Sequence, residues 1–150
     1  MTRFVPTQQI LRDAAVLRET LAARWFSAAQ ASAALDPKFG RGGQRASELR
    51  RQGKLLGVYV THTLCYRYPT WQFLPDGRPA EHLAENLTVL RNFGPFHCEP
   101  NGLRRSTGWG EAEWFLSPHA LLCGAAPAAM LSIDSARVLY AAQCEFEEIL

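Results

Sequence analysis

No run of apolar residues in this chain approaches the roughly 18 that a membrane-spanning helix needs. The opening Met1-Thr2-Arg3-Phe4-Val5-Pro6 passes directly into an amphipathic pattern without the apolar core of a leader peptide. The expectation is a cytoplasmic protein with no membrane partner. Cysteine is scarce: Cys65, Cys98, Cys123 and Cys144 are the only four in 150 residues, irregularly spaced. Secreted disulfide scaffolds are shorter and denser in cysteine, so reduced thiols are expected, with Cys98 exposed and Cys123 and Cys144 packed as small apolar residues. No charge sign dominates, with 16 basic residues against 14 acidic. Metal-ligand spacing is missing as well. His62, His82, His97 and His119 form no ligand pattern with the cysteines, and no Cys-x-x-Cys occurs. Gly40-Arg41-Gly42-Gly43 lacks the Gly-Lys-Ser/Thr of a phosphate loop and follows no strand. No local motif supports a nucleophile. We therefore expect a non-enzyme with no cofactor and no metal.

What is present is enough to build a core, since 47% of the residues are hydrophobic and 20% charged. From 8 to 24, Ile10, Leu11, Ala14, Leu17 and Leu21 recur three and four apart, an amphipathic helix with these residues inward. Ser27-Ala28-Ala29-Gln30 has the form of a capping box and opens a short helix to Leu35, with Ala31, Ala34 and Leu35 inward. Asp36-Pro37 and the glycines to Gly43 end it. A third helix spans 44–52 and stops at Gly53. The period then changes: 56–60 and 64–68 are β-branched and aromatic, a hairpin around Thr61-His62-Thr63. A fourth helix over 79–91 aligns Leu83, Leu87 and Leu90. The stretch 94–108 carries Gly94-Pro95 and Pro100-Asn101-Gly102 and reads as a linker. Beyond it come short helices over 111–116, 118–123 and 126–131. A last helix is capped by Asp134, with Leu139, Ala142, Phe146 and Ile149 inward. The acidic groups Glu111/Glu113 and Glu145/Glu147/Glu148 read as solvated helix faces.

Arg41, Arg45, Arg50, Arg51 and Lys54 are the densest basic cluster. At 100° per residue, Ala46 and Leu49 define the buried side of the third helix. Gln44, Ser47, Glu48 and Arg51 then face outward, with Arg45 and Arg50 on the flanks. Two short helices joined by a glycine-bearing turn, the second basic and followed by a hairpin, resemble a winged helix-turn-helix. In that arrangement outward residues meet base edges and flanking cations meet phosphates, with Arg67 adding a contact from the wing. Segment 27–73 also resembles the helix-turn-helix of excisionase- and MerR-like proteins, though its turn from Asp36 to Gly43 is longer.

The stretch Trp109-Gly110-Glu111-Ala112-Glu113-Trp114-Phe115-Leu116-Ser117-Pro118, continuing through Leu121-Leu122-Cys123-Gly124 to Pro127 and Leu131, resembles the toxin-binding domain of MbcA/ParS/Xre-type antitoxins. The matching positions are Ala112, Trp114 (shifted by one), Leu116, Pro118, Leu121, Leu122, Gly124, Pro127 and Leu131. Cys123 stands where the family has its first glycine, and Ala125-Ala126 where it has Arg-Thr. The resemblance implies a cognate toxin, of the RES type or another NAD-degrading or ADP-ribosyl-transferring enzyme, and a homodimer that represses its own operon by binding operator DNA. The residues expected to meet the toxin are Trp114, His119, Leu122, Pro127, Phe146, Glu147 and Glu148. The alternative is a stand-alone winged helix-turn-helix regulator whose C-terminal bundle only dimerises. The expected fold is mainly α with a small β-hairpin: a helix-turn-helix-like region over 1–93, a linker over 94–108 and a small helical bundle over 109–150.

Overall fold

Ser27 starts the second helix as its sequence demands. Its hydroxyl accepts from the Gln30 backbone N–H, and the Gln30 side chain accepts from the Ser27 backbone N–H, at 3.1 and 2.8 Å. The computed structural model describes residues 6–39, 42–96 and 107–147. The order is α1 (Pro6–Ala22), α2 (Ala28–Leu35), α3 (Gln44–Arg51), β1 (Val58–Val60), β2 (Cys65–Arg67), α4 (Leu83–Phe93), α5 (Trp109–Leu116), α6 (Pro127–Met130) and α7 (Ser135–Ala142). Single 3-10 turns sit at Pro37–Phe39, Thr70–Gln72 and Ala120–Leu122, and α7 continues as a π-helical turn, Gln143–Glu147. The protein is mainly helical with one small antiparallel sheet. Among the described residues no helix is long and apolar enough to cross a membrane.

The sheet pairs Val58 with Arg67, Tyr59 with Tyr66 and Val60 with Cys65. Its free edges are used. Phe26 and Tyr68 exchange backbone hydrogen bonds of 3.0 and 2.8 Å on one side, and the Tyr59 N–H donates to the Thr107 carbonyl at 2.8 Å on the other. Gly108 follows at φ +86°, and a β-carbon there would run into the Gly57 carbonyl. Only glycine lets the chain pass that close.

The buried core is continuous across the expected division between the two halves. It runs from Ala31, Ala46 and Leu49 through Leu55, Leu56 and Tyr68 to Leu83, Leu87 and Leu90, and on to Phe115, Leu131 and Val138. Aromatic rings join the halves directly: Trp25 stacks on Trp109 with centroids 5.7 Å apart, and Trp71 meets Phe115 at 5.0 Å. Helix α4 packs against α7. Most of the expected linker, 97–106, lies outside the described residues.

The first helix departs from its pattern. Only its C-terminal end is packed, through Ala22 and the half-buried Leu21, while Ile10, Leu11 and Leu17, expected inward, are exposed. Among the described residues, the contacts that hold α1 are made by its last turns, at Arg18, Leu21 and Ala22, and the apolar side chains before them are exposed.

Candidate functional site

The basic third helix is set on α2 by two close contacts. The Ala46 N–H donates to the buried Ser32 hydroxyl at 3.0 Å, and Gly43 lies so near Ala28 that a β-carbon there would collide with that side chain. A Schellman turn ends the helix. Gly53 sits at φ +76°, the Gly53 N–H donates to the Arg50 carbonyl, and the Lys54 N–H donates to the Leu49 carbonyl at 2.8 Å. Ala46 and Leu49 are buried, as the helical period requires. Gln44, Arg45, Arg51 and Lys54 are exposed, and Ser47 and Glu48 are half-exposed between them. Arg45 Nη1 lies 3.6 Å from Glu48 Oε2, and Arg51 Nε donates to the Ser47 carbonyl at 3.2 Å.

Two other expected DNA contacts are built into the body. The Arg50 guanidinium lies over the Tyr66 ring, 3.7 Å from its centroid, with Nε 3.4 Å from the Tyr68 hydroxyl. A β-carbon on Gly57 would press against its Cδ at 2.6 Å, so Gly57 makes room for it. Half-buried Arg67 donates to the Trp25 carbonyl at 3.4 Å. Both cations therefore hold the hairpin in place. Arg41 lies outside the described residues.

At the C-terminal end, Trp114, Leu122 and Pro127 are buried and present little surface to a partner. Trp114 is 8% exposed. Its indole N–H donates to Glu145 Oε1 at 3.0 Å, and His119 Nε2 meets the same oxygen at 2.7 Å. Because His119 Nδ1 accepts from the Leu121 N–H at 3.1 Å, the neutral ring carries its proton on Nε2. Phe146 is half-buried between Trp114 and Phe96. Glu147 is half-buried, and Glu148 lies outside the described residues.

Three sequence expectations are corrected here. Glu111 is fully buried, with Arg91 Nε 3.3 Å from its Oε2, because this side of α5 turns inward onto the core. Cys123 is exposed: it ends the 3-10 turn in the left-handed region at φ 56°, which swings its side chain outward. Cys144 is exposed as well, on the outer side of the π-helical turn.

No family model, curated protein or solved structure matches this chain.

A hollow of about 600 Å³ lies between Phe26, Trp71, Phe73 and the Pro75–Gly77 turn. Its one carboxylate, Asp76, is engaged by Arg78 at 2.7 Å, and the hydroxyl residues Thr70 and Ser132 share an otherwise mostly apolar lining. A second surface escaped sequence reasoning. Ile133 is 76% exposed, Tyr140 59% and Leu121 40%, and Arg137 donates to the Leu121 carbonyl at 3.1 Å. The signal was present in the helical period, which puts Tyr140 on the side of α7 turned from Val138, Ala141 and Ala142, with Arg137 on the flank. Period alone does not separate it from solvated surface, because exposure depends on what distant segments cover.

Proposed function

We propose that this protein is a DNA-binding regulator of the antitoxin type, which represses through the α2–α3 unit and neutralises a toxin protein through its C-terminal helices. The observation that carries the reading is the outer face of α3. A short helix is held on α2 at its start and closed by its own glycine turn at its end, and Gln44, Arg45, Ser47, Glu48, Arg51 and Lys54 are left together on the outer side. Groups that can both donate and accept suit base edges in a major groove, and the cations at the helix's end suit phosphate. In this reading the hairpin, tied to α3 through the Arg50 guanidinium over Tyr66, serves as the wing.

The surface offered to a toxin is Leu121, Ile133, Arg137 and Tyr140. An exposed tyrosine and an arginine among aliphatic side chains are what protein interfaces concentrate their energy in. Trp114, Leu122 and Pro127 act beneath it, as the packing that shapes it.

Titration of the DNA upstream of the protein's own gene, at two salt concentrations, tests the first half. Arg51→Ala should cost on the order of 1–3 kcal/mol against the specific site. Lys54→Ala should weaken all sequences alike and reduce the salt slope by about 1. Wild-type protein that shows no salt-sensitive binding there would end the DNA reading. For the second half, co-expression with the product of the neighbouring gene should protect cells, and Ile133→Asp combined with Tyr140→Asp should abolish protection at equal abundance. Full protection by the double variant would remove this surface from the mechanism.

A further inference from the structure

We infer that Glu48 is the specificity-determining residue of α3, an inference that rests on the DNA reading of that helix. With Arg45 it reads one C·G base pair, the carboxylate taking the cytosine amino group and the guanidinium the guanine edge. Glu48 is the one acidic side chain on the outer side of α3, set among Arg45, Arg51 and Lys54. A surface built only to hold phosphate gains from each cation and loses from an anion placed among them. A carboxylate there lowers affinity for nucleic acid in general, unless it meets a group that donates to it.

Few groups in a major groove do. Guanine and thymine present acceptors, which repel a carboxylate. Adenine donates through its amino group, but its N7 acceptor stands beside that group. Cytosine presents its amino group alone, so it is the base that an ionised carboxylate favours.

Arg45 supplies the other half. It lies three residues before Glu48, with Nη1 3.6 Å from Oε2, so the two side chains share one part of the helix surface. Acceptor and donor therefore stand side by side. A C·G pair presents their complement, the cytosine amino group next to the guanine O6 and N7 acceptors. The pairing also draws the guanidinium from the flank of α3 toward its outer side. The adjacent arginines are engaged elsewhere: Arg51 Nε donates to the Ser47 carbonyl at 3.2 Å, and Arg50 lies over Tyr66. The side chains of Arg45 and Glu48 are 44% and 43% exposed. An ion pair this open is worth little by itself, so its members can turn to a base edge at small cost.

The test is selection of duplexes from a randomised DNA pool by the full chain, as wild type, Glu48→Ala and Glu48→Gln, followed by titration of the enriched sites. Wild type should enrich a motif with a fixed C·G pair, and exchange of that pair should weaken its binding about tenfold or more. Glu48→Ala should accept any pair at that position, keep the rest of the motif and bind scrambled DNA more tightly. Glu48→Gln should move the preference to A·T, because glutamine pairs with the adenine edge. A residue that only stabilised α3 would not change which base is chosen. Alanine and glutamine both suit a helix, so far-UV circular dichroism should be unchanged. A wild-type motif without a fixed C·G pair, or a variant of Glu48 that keeps that pair at full strength, overturns the inference and leaves the DNA reading standing. A wild type that enriches no motif ends the DNA reading, and this inference with it.

Discussion

Gln72 is polar and completely buried, a combination that costs stability unless every group is matched. Here it is matched by backbone that would otherwise be orphaned. Its Oε1 accepts from the Leu56 N–H at 2.8 Å, and its amide donates to the Leu56 carbonyl at 2.8 Å and the Pro69 carbonyl at 3.1 Å. The side chain acts as a missing strand partner for Leu56, two residues before β1, and ties the 3-10 turn to the start of the hairpin. Gln72→Met keeps the volume and leaves a buried N–H and two carbonyls short. It should destabilise by about 2–4 kcal/mol, read as a lower urea midpoint with unchanged slope. The sequence could not have shown this. Glutamine usually lies at the surface, and the partners that make it tolerable are set by a fold not visible at that position.

At the scale of elements, the local code was legible wherever one residue's chemistry suffices. Ser27 with Gln30, Gly53 at φ +76° and Asp134 accepting from the Arg137 N–H at 3.2 Å each start or stop a helix near the expected place. The turn after the hairpin works in the same way. Asp76 accepts from the Arg78 backbone N–H at 3.0 Å and from its guanidinium at 2.7 Å, and these bonds hold its carboxyl below the usual aspartate value of 3.8. A carboxyl with a lowered folded pKa adds stability above its unfolded value and loses it as pH falls through the folded one. Wild-type protein should therefore lose some stability as pH drops below about 4, and Asp76→Asn should show a smaller loss over that interval. Thermal melts at stepped pH compare the two directly, and parallel curves would mean that the turn does not respond to this carboxyl. Boundaries were less legible than caps. The fourth helix begins at Leu83 rather than near Pro79, because Pro79 bridges to Phe73 and the His82 carbonyl becomes the first acceptor, from the Asn86 N–H at 2.9 Å.

On the scale of the whole molecule, the aromatic residues bind together what composition seemed to divide. Trp25 from the end of α1, Trp71 from the turn after the hairpin and Trp109 from the start of α5 meet in one cluster, with Trp25 set edge-on to Trp71 at 6.3 Å and stacked on Trp109. By itself the sequence determined the mainly helical class, the hairpin, the buried side of α3 and its basic outer face. Each of these follows from period and capping over fewer than a dozen residues. Only the tertiary structure decided which of several similar side chains are free. Arg50 is taken by Tyr66 and Tyr68 while Arg51 beside it stays exposed, and Glu111 is buried on Arg91 while Glu113 stays exposed with Arg18. The same holds for α1, whose apolar stripe looked like a core face and is mostly bare. Period reports which side of a helix is apolar, whereas burial depends on whether anything reaches that side, and that is a property of distant segments brought together.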